Sequence, residues 1–138
     1  MDNITFSTDL ESNIQLTQSL IQGDNTFVTR RAVGHAGLDC AVFFFDGMVN
    51  NIAINQSVIR PIVCSDLPHA SADTLCQTIL QINDSRVETD PAKMFASFLY
   101  GDTVVFTAGD ARPVVVNTKG FSVRSASEPE NEDRKSVV

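Results

Sequence analysis

The chain lacks any apolar run long enough to cross a membrane. Its longest such run, from Cys40 to Phe45, is far shorter than the ~20 residues that a spanning helix needs. Residues 1–20 carry acidic side chains and no basic stretch, so they do not have the pattern of a secretory signal peptide. The sequence therefore predicts neither a membrane-spanning helix nor a signal peptide.

Clusters of basic side chains are also missing. The net charge is −7, and the ten lysines and arginines are scattered along the sequence. The two adjacent basic pairs are Arg30-Arg31, in a predicted strand, and Arg134-Lys135, near the end. Binding to nucleic acid or to an anionic membrane surface requires a clustered positive face, so the sequence argues against both partners.

Cysteine is scarce and odd in number. Cys40, Cys64 and Cys76 are not closely spaced, which disfavours a disulfide framework. Unpaired cysteines are typical of a reducing compartment.

What the sequence does contain is enough apolar material for one domain. The length is 138 residues and 43% of them are hydrophobic, which suffices for a core without cross-links. Apolar and β-branched patterns predict strands at 26–33, 40–45, 86–88, 103–107 and 113–116. Helical spacing predicts helices that begin near Leu10, Asn51, Ala72 and Pro91. We therefore predict an α/β fold, with a mixed β-sheet of about five strands flanked by about four helices in a single domain.

Local signals fix some boundaries. Asp90 is a predicted N-cap, Pro91 occupies the first helical position and Gly101 follows the last turn. Pro61 is expected to end the second helix near Arg60. Gly109-Asp110 favours a two-residue hairpin turn between the last two strands.

Cys40, with His35 and Asp39 near it in sequence, has the residue types of a thiol nucleophile and a base. It also opens the most apolar strand, where a buried, inert thiol is the usual state. We predict no catalytic residue.

Two further sets of residues allow a ligand site but are better explained by local structure. The metal-ligating types Cys64, Asp66, His69 and Cys76 match no standard zinc spacing, and we predict neither a metal nor a cofactor. The loop 34–37, with two glycines, lies between two strands, whereas a phosphate-binding loop precedes a helix.

Glycine–aspartate pairs recur at the ends of predicted strands and helices. They are Asp46-Gly47, Gly101-Asp102 and Gly109-Asp110. Clustered acidic side chains could bind a cation, but both residue types are favoured in turns. We expect turns at all three.

The C-terminal segment carries a charge pattern that no core requires. Arg124 is followed by Glu128, Pro129, Glu130 and Glu132. A solvated tail is one interpretation; a bidentate pair between Arg124 and a carboxylate across an interface is the other.

This segment resembles the close of the first soluble subdomain in the A-subunit family of spore germination receptors (GerA type). The resemblance also extends to earlier parts of the chain. The matching motif residues are Asp46, Gly47, Gly101, Asp102, Arg124, Glu128, Pro129 and Glu132. The resemblance runs from about Thr29 to Glu132. Phe121 stands where the family often has tryptophan, and Ser127 where it often has glutamate.

The resemblance implies a role, a place and partners. Such receptors lie in the inner spore membrane, with this region on the cytoplasmic side facing the spore core. The A subunit acts with a transporter-like B subunit and a lipoprotein C subunit, and A could also contact itself. By this resemblance residues 1–125 form the subdomain. Residues 126–138 form a charged connector towards a second subdomain and a membrane domain that this sequence lacks, so we expect a fragment of a longer protein.

We expect assembly and signal transmission, without enzymatic activity, as the function. The alternative is a small-molecule module that binds a nutrient near Asp46 and the loops after Phe45 and Glu88, because α/β sheets bind ligands at the carboxyl ends of their strands. An enzyme is the least favoured alternative.

Overall fold

The computed structural model describes residues 4–118. Its five strands are β1 (Phe27–Val33), β2 (Asp39–Phe45), β3 (Ser85–Val87), β4 (Thr103–Thr107) and β5 (Val114–Val116). Two of its helices are regular: α1 (Leu10–Leu20) and α4 (Pro91–Leu99).

The other two helices contain wide, π-helical turns. Helix α2 spans 51–63 and consists of Asn51–Ala53, the π-helical Ile54–Ile59 and Arg60–Val63. Helix α3 spans 72–79, with Ala72–Thr74 followed by the π-helical Leu75–Ile79. Within residues 4–118, no helix is long and apolar enough to cross a membrane.

The strands form one sheet in the order β1-β2-β4-β5-β3. The prediction of an α/β domain with about five strands and four helices is confirmed. All four strand pairs are antiparallel, whereas we expected a mixed sheet; the helices link strands without producing a parallel pair. We call the end of the sheet where β2 and β5 finish, and where β1, β3 and β4 start, the upper end. The opposite end is the lower end.

Strand β2 is buried on both faces, as its continuous apolar run predicted. Cys40, Val42 and Phe44 pack into a core layer with α2 and α3. Ala41, Phe43 and Phe45 alternate with them and face a phenylalanine-rich layer with α1 and α4. The domain is therefore a three-layer sandwich with two helices on each side of the sheet.

Helix α4 agrees with its local signals. The side chain of Asp90 accepts a hydrogen bond from the backbone N–H of Ala92, and Pro91 occupies the first turn. The buried residues of the helix are Met94, Phe95 and Phe98, which lie on one face because they are separated by one, three and four positions.

The expected end of α2 near Arg60 was wrong, since the helix continues through Pro61 to Val63. Proline has no N–H to donate to the carbonyl four residues earlier, which here belongs to Ser57. That carbonyl accepts a hydrogen bond from the backbone N–H of Gln81 (3.0 Å). A partner from a distant segment thus supports the carbonyl that Pro61 cannot reach.

The expected two-residue hairpin between β4 and β5 was also wrong. Residues 108–113 separate the two strands. The backbone N–H of Gly109 donates to the carbonyl of Thr8 (2.9 Å), and the carboxylate of Asp110 accepts from the backbone N–H of Ala72 (2.8 Å). The longer loop is held by these contacts with other parts of the fold.

Candidate functional site

The Asp46-Gly47 pair forms the turn that follows β2 at the upper end. The backbone N–H of Asp46 donates to the carbonyl of Thr26 (2.7 Å), and Met48 N–H donates to the carbonyl of Phe45 (3.1 Å). Gly47 has φ +89°, a conformation that side chains disfavour. The motif therefore closes β2 against the start of β1 and directs the chain towards α2.

The Gly101-Asp102 pair ends α4, also at the upper end. The backbone N–H of Gly101, at φ +113°, donates to the carbonyl of Phe98 (3.0 Å). That of Asp102 donates to the carbonyl of Ser97 (3.1 Å). These two bonds form a Schellman motif, which satisfies the last carbonyls of a helix and favours glycine. The pair thus sets the turn from α4 into β4.

The described chain reaches its last residue, Thr118, at this same end. The carbonyl of Thr118 accepts a hydrogen bond from the backbone N–H of Asn50 (2.8 Å), and its hydroxyl bonds that of Thr103. Asn117 bonds Asp84 through both its backbone N–H (2.9 Å) and its side-chain amide (2.8 Å). The chain segments that follow Asp46-Gly47 and Gly101-Asp102 are therefore hydrogen-bonded to Thr118, the last described residue.

Large apolar side chains are exposed at the upper end. We call this set the upper apolar surface; it comprises Met48 (42% exposed), Ile52 (66%), Leu99 (57%) and Tyr100 (77%). Met48 and Ile52 follow the Asp46-Gly47 turn, and Leu99 and Tyr100 precede the Gly101-Asp102 pair. Both motifs thus position chain segments that present apolar side chains to solvent. Since α2 and α4 lie on opposite faces of the sheet, the set consists of two exposed apolar segments at one end of the domain.

The other predicted motif residues, Arg124, Glu128, Pro129 and Glu132, lie outside the described residues, and so does Glu130. Their roles remain predictions.

The thiol of Cys40 is buried inside the sheet and is not brought to a base. Burial raises its pKa to about 11, which disfavours the thiolate that a nucleophile requires. The ring Nε2 of His35 lies 3.0 Å from Asp66 Oδ1 at the lower surface, and Asp39 pairs with Arg31 (2.8 Å). The three residues that are neighbours in sequence thus have separate contacts.

The residues considered as metal ligands do not converge. In the described part of the chain, no group of three or more histidine, cysteine, aspartate or glutamate side chains could hold a metal ion. Cys76 is half-buried against the α2–α3 core layer, and burial raises the pKa of its thiol.

The 34–37 loop is a tight connection between β1 and β2. A Cβ atom added to Gly34 would lie 2.8 Å from the carbonyl oxygen of Ile62, so the absence of a side chain allows α2 to approach the loop. His35 N–H donates to the carbonyl of Val63 (3.3 Å). The loop therefore docks the last turn of α2.

One polar cluster was missed by sequence analysis. Arg112 Nη2 lies 2.9 Å from both Asp73 Oδ2 and Asp110 Oδ2. Burial alone would raise the pKa of the Asp110 carboxyl, but hydrogen bonds from the Arg112 side chain and from the backbone N–H groups of Ala72 and Arg112 outweigh it and lower the pKa to about 2. The cluster fastens the 108–113 loop to the start of α3. Asp110 and Arg112 are close in sequence, but their partners on α3 are distant.

The two loops predicted to line a nutrient site, after Phe45 and after Glu88, do not meet among residues 4–118. Asp46 follows β2 at the upper end, whereas Glu88 follows β3 at the lower end, because an antiparallel sheet distributes the carboxyl ends of its strands between both edges. The loop after Glu88 instead lines a lower-end cavity of about 240 Å³, with Ile4, Phe6 and Arg112. A wider groove of about 390 Å³ lies between the ends of α2 and α3, where it is lined by Cys64, Leu67 and Gln81.

Comparison with known proteins gives a consistent relationship. The family model described as Bacillus/Clostridium GerA spore germination protein matches residues 14–135. In Bacillus subtilis (strain 168), the uncharacterized membrane protein YfkQ is 28% identical over 125 residues, which is 89% of this chain and 24% of that protein. Spore germination protein KA of the same organism is 26% identical over 131 residues, 91% of this chain and 24% of that protein. The chain therefore spans about a quarter of the length of these relatives.

A solved structure has a similar fold. It is the crystal structure of the N-terminal domain of the A subunit of the Bacillus megaterium spore germinant receptor GerK3. The TM-score is 0.62 at 17% sequence identity, and the match covers 86% of this chain and 49% of that one.

Proposed function

Since this chain belongs to the GerA spore germination protein family, we propose that it is an N-terminal domain of a germinant receptor A subunit and acts in receptor assembly and signal transmission. The fold shared with the GerK3 domain supports the domain assignment. The match to about half of that domain supports a further unit beside this one. We propose that residues 1–125 form this domain and that 126–138 connect it to the next.

The upper apolar surface carries the proposal. Met48, Ile52, Leu99 and Tyr100 expose apolar area at the end of the sheet that also holds Thr118. A surface beside the point where the chain continues is suited to contact an adjoining domain or subunit. Apolar and aromatic residues are enriched in the cores of such interfaces.

The two glycine–aspartate motifs have a supporting role in this proposal. Asp46-Gly47 and Gly101-Asp102 set the turns that present the upper apolar surface, through the backbone hydrogen bonds to Thr26, Phe98 and Ser97. A change in the position of either turn would move the apolar side chains next to it. In this way, contacts made by a partner at the upper end would be transmitted to α2 and β4.

The proposed partners are the transporter-like B subunit, the lipoprotein C subunit or another copy of A. The proposed location is the cytoplasmic side of the inner spore membrane. Arg124, Glu128, Pro129 and Glu132 are proposed to belong to the connector, where Arg124 would pair with a carboxylate across an interface.

Spores that carry the double substitution Ile52→Ser and Tyr100→Ser test the function. We expect the level of assembled receptor and the rate of germination to fall, because two apolar contacts are lost from the interface. The isolated domain should remain folded, since both side chains are exposed, and urea unfolding checks this. Val63→Ser, at an exposed apolar residue (41%) at the lower end of α2 that does not line the groove, is the matched control and should behave like the unmodified protein. Normal assembly and germination of the double variant would refute the proposal.

Nutrient binding by this domain is the second candidate function, and the 390 Å³ groove at the lower end favours it. Its volume is within the range of roughly 300–1,000 Å³ that is typical of ligand pockets. Titration of the labelled domain with amino acids, sugars and nucleosides should then shift the amide signals of Leu67 and Gln81 saturably. If no compound produces such shifts, this function is excluded for the compounds tested.

A further inference from the structure

Among residues 4–118, strand β1 is an edge of the sheet, and the backbone groups on its outer side are not paired with another strand. Asp46 N–H bonds the carbonyl of Thr26, and Gly34 N–H bonds the carbonyl of Leu38. Strand β1 pairs with β2 from Phe27↔Phe45 to Val33↔Asp39. Together with this pairing, the two bonds determine which residues of β1 direct their backbone N–H and C=O groups towards β2. The backbone groups of residues 28, 30 and 32 point inward to β2. Those of Thr29, Arg31 and Val33 point away from the sheet.

These outward groups are not used inside the described fold. No residue within 4–118 makes a backbone hydrogen bond to Thr29, Arg31 or Val33 on that side. Helix α1 contacts β2 and β4 and reaches β1 through side chains, with Gln18 bonding the hydroxyl of Thr29 and Glu11 pairing with Arg31. The row of three outward residues is thus available to pair with a further strand.

The other edge of the sheet is much shorter. The bonds from Glu88 N–H to the carbonyl of Pro113 and from Asn117 N–H to the carbonyl of Asp84 show that even-numbered residues of β3 face β5. Only Ser85 and Val87 of this strand point outward. An added strand would therefore gain a longer ladder at β1 than at β3.

The charge of Arg30, at the centre of β1, indicates the chemistry of the strand that would pair there. Arg31 is neutralised by Glu11 and Asp39. Arg30 is exposed, lies on the opposite face of the strand with Val28 and Ala32, and has no ion pair among residues 4–118. An acidic side chain on an added strand would complement it, because opposite charges directly across two strands are stabilising.

The same charge disfavours a second copy of this chain as the partner. Antiparallel self-pairing along the whole of β1 would place Phe27 opposite Val33 of the other copy and Arg30 opposite Arg30. Like charges directly opposite each other are destabilising. Arg30 therefore opposes self-association and selects an acidic strand.

We propose that the outer edge of β1 binds an extended segment of a partner protein by strand addition, with a carboxylate of that segment opposite Arg30. The backbone groups of Thr29, Arg31 and Val33 provide the affinity, and Arg30 provides the selectivity, which is the usual division in β-augmentation. This site is separate from the upper apolar surface and does not depend on a role in a receptor.

The test uses the ¹⁵N-labelled chain and a capped peptide, Thr-Val-Thr-Glu-Thr-Val-Thr, with a control peptide in which lysine replaces glutamate. We expect saturable shifts and slowed hydrogen exchange at the amides of Thr29, Arg31 and Val33. The glutamate peptide should bind about two- to fivefold more tightly than the lysine peptide, as a cross-strand charge pair implies. Arg30→Glu should reverse this preference. Arg60→Glu, the same charge change at an exposed residue of α2, should retain it.

A second pair of measurements tests the backbone contacts. Thr29→Pro removes one outward N–H without removing a bond to β2, and proline is tolerated where a strand's N–H faces solvent. This variant should bind both peptides more weakly. N-methylation of alternate peptide residues should also weaken their binding, and it leaves the protein unchanged. Saturable shifts elsewhere, equal binding of both peptides, or no saturable binding would overturn the proposal. Concentration-dependent changes at the β1 amides without peptide would identify a second copy as the occupant and would also overturn it.

Discussion

Replacement of Asp110 by asparagine should destabilise the domain in a pH-dependent way. The carboxylate accepts hydrogen bonds from Ala72 N–H (2.8 Å), Arg112 N–H (2.9 Å) and the Arg112 guanidinium. The amide of asparagine keeps one acceptor oxygen and loses the charge. The start of α3 and the 108–113 loop would then lose part of the connection between them.

The magnitude follows from the pKa. Lowering the carboxyl pKa from 3.8 to about 2 corresponds to roughly 2 kcal/mol of folding free energy, since one pKa unit is worth about 1.4 kcal/mol. The Asp110 side chain is 11% exposed, but its partner Arg112 is 39% exposed, so solvent screening reduces the charge interaction. We expect Asp110→Asn to lower the free energy of unfolding by about 1–2 kcal/mol at pH 7.

The pH dependence has a defined sign. Because the pKa is lower in the folded than in the unfolded state, the stabilisation is complete above pH 3.8 and is lost as the pH falls towards about 2. Urea unfolding at pH 7, 5, 4 and 3 should therefore show a constant difference between the unmodified chain and Asp110→Asn at the two higher values and a smaller difference at pH 3. Asp66→Asn, at a carboxylate that is 94% exposed, is the control and should cost less than about 0.5 kcal/mol. A difference that persists unchanged at pH 3, or none at pH 7, would refute this reasoning.

Three further predictions concern other parts of the fold. Gly101→Ala should destabilise the domain by about 1 kcal/mol or more in urea unfolding, since residue 101 has φ +113°. Ala92→Gly, within the first turn of the same helix, is the comparison. An effect of Gly101→Ala no larger than that of Ala92→Gly would contradict the role of the Schellman motif. Phe98→Ala should cost about 3–5 kcal/mol by the same measurement, because the ring is fully buried and packs 4.6 Å from that of Phe45; a cost below about 1 kcal/mol would show that the α1–α4 layer is not packed as described. Iodoacetamide labelling at pH 7.5, followed by mass spectrometry, should modify the exposed Cys64 in the folded protein. Cys40 is buried and its pKa is raised to about 11, so it should react only after unfolding. Labelling of Cys40 in the folded protein would contradict its burial.

Local signals were sufficient to predict several elements from sequence. Helix α4 is bounded by Asp90, Pro91 and Gly101, all of which act within one or two turns of it. Strand β2 is recognisable because an uninterrupted apolar run favours burial on both faces. The glycine–aspartate turns at Asp46-Gly47 and Gly101-Asp102 were likewise predicted from residue preferences.

Features that depend on distant residues could not be predicted in this way. The continuation of α2 past Pro61 depends on the N–H of Gln81, which reaches the carbonyl of Ser57 from another segment. The 108–113 loop is likewise held by a distant residue, because the backbone N–H of Ala72 donates to the carboxylate of Asp110. Strand direction is also non-local, so the expectation of a mixed sheet was wrong, and the loops after Phe45 and Glu88 lie at opposite ends of the sheet.

The candidate site was predicted only in part. Family motifs pointed to the turns at the upper end, but the exposure of Ile52 and Tyr100 follows from how α2 and α4 pack. Periodicity did not separate these side chains from the core. The open edge of β1 depends on the strand order, which sequence patterns do not specify.

Site-specific photo-crosslinking tests the central claim most directly. Benzoylphenylalanine is introduced at Tyr100 or at Lys93, an exposed residue near the other end of the same helix, in the gene product that contains this chain and in its native spores. If the upper apolar surface is an interface, irradiation should crosslink position 100 to another receptor subunit or to an adjoining domain. Mass spectrometry of the linked peptides identifies the partner. Position 93 should give far less crosslinked product. Equal yields at both positions, or no specific product from position 100, would contradict the proposal that this end of the domain makes the contacts of receptor assembly.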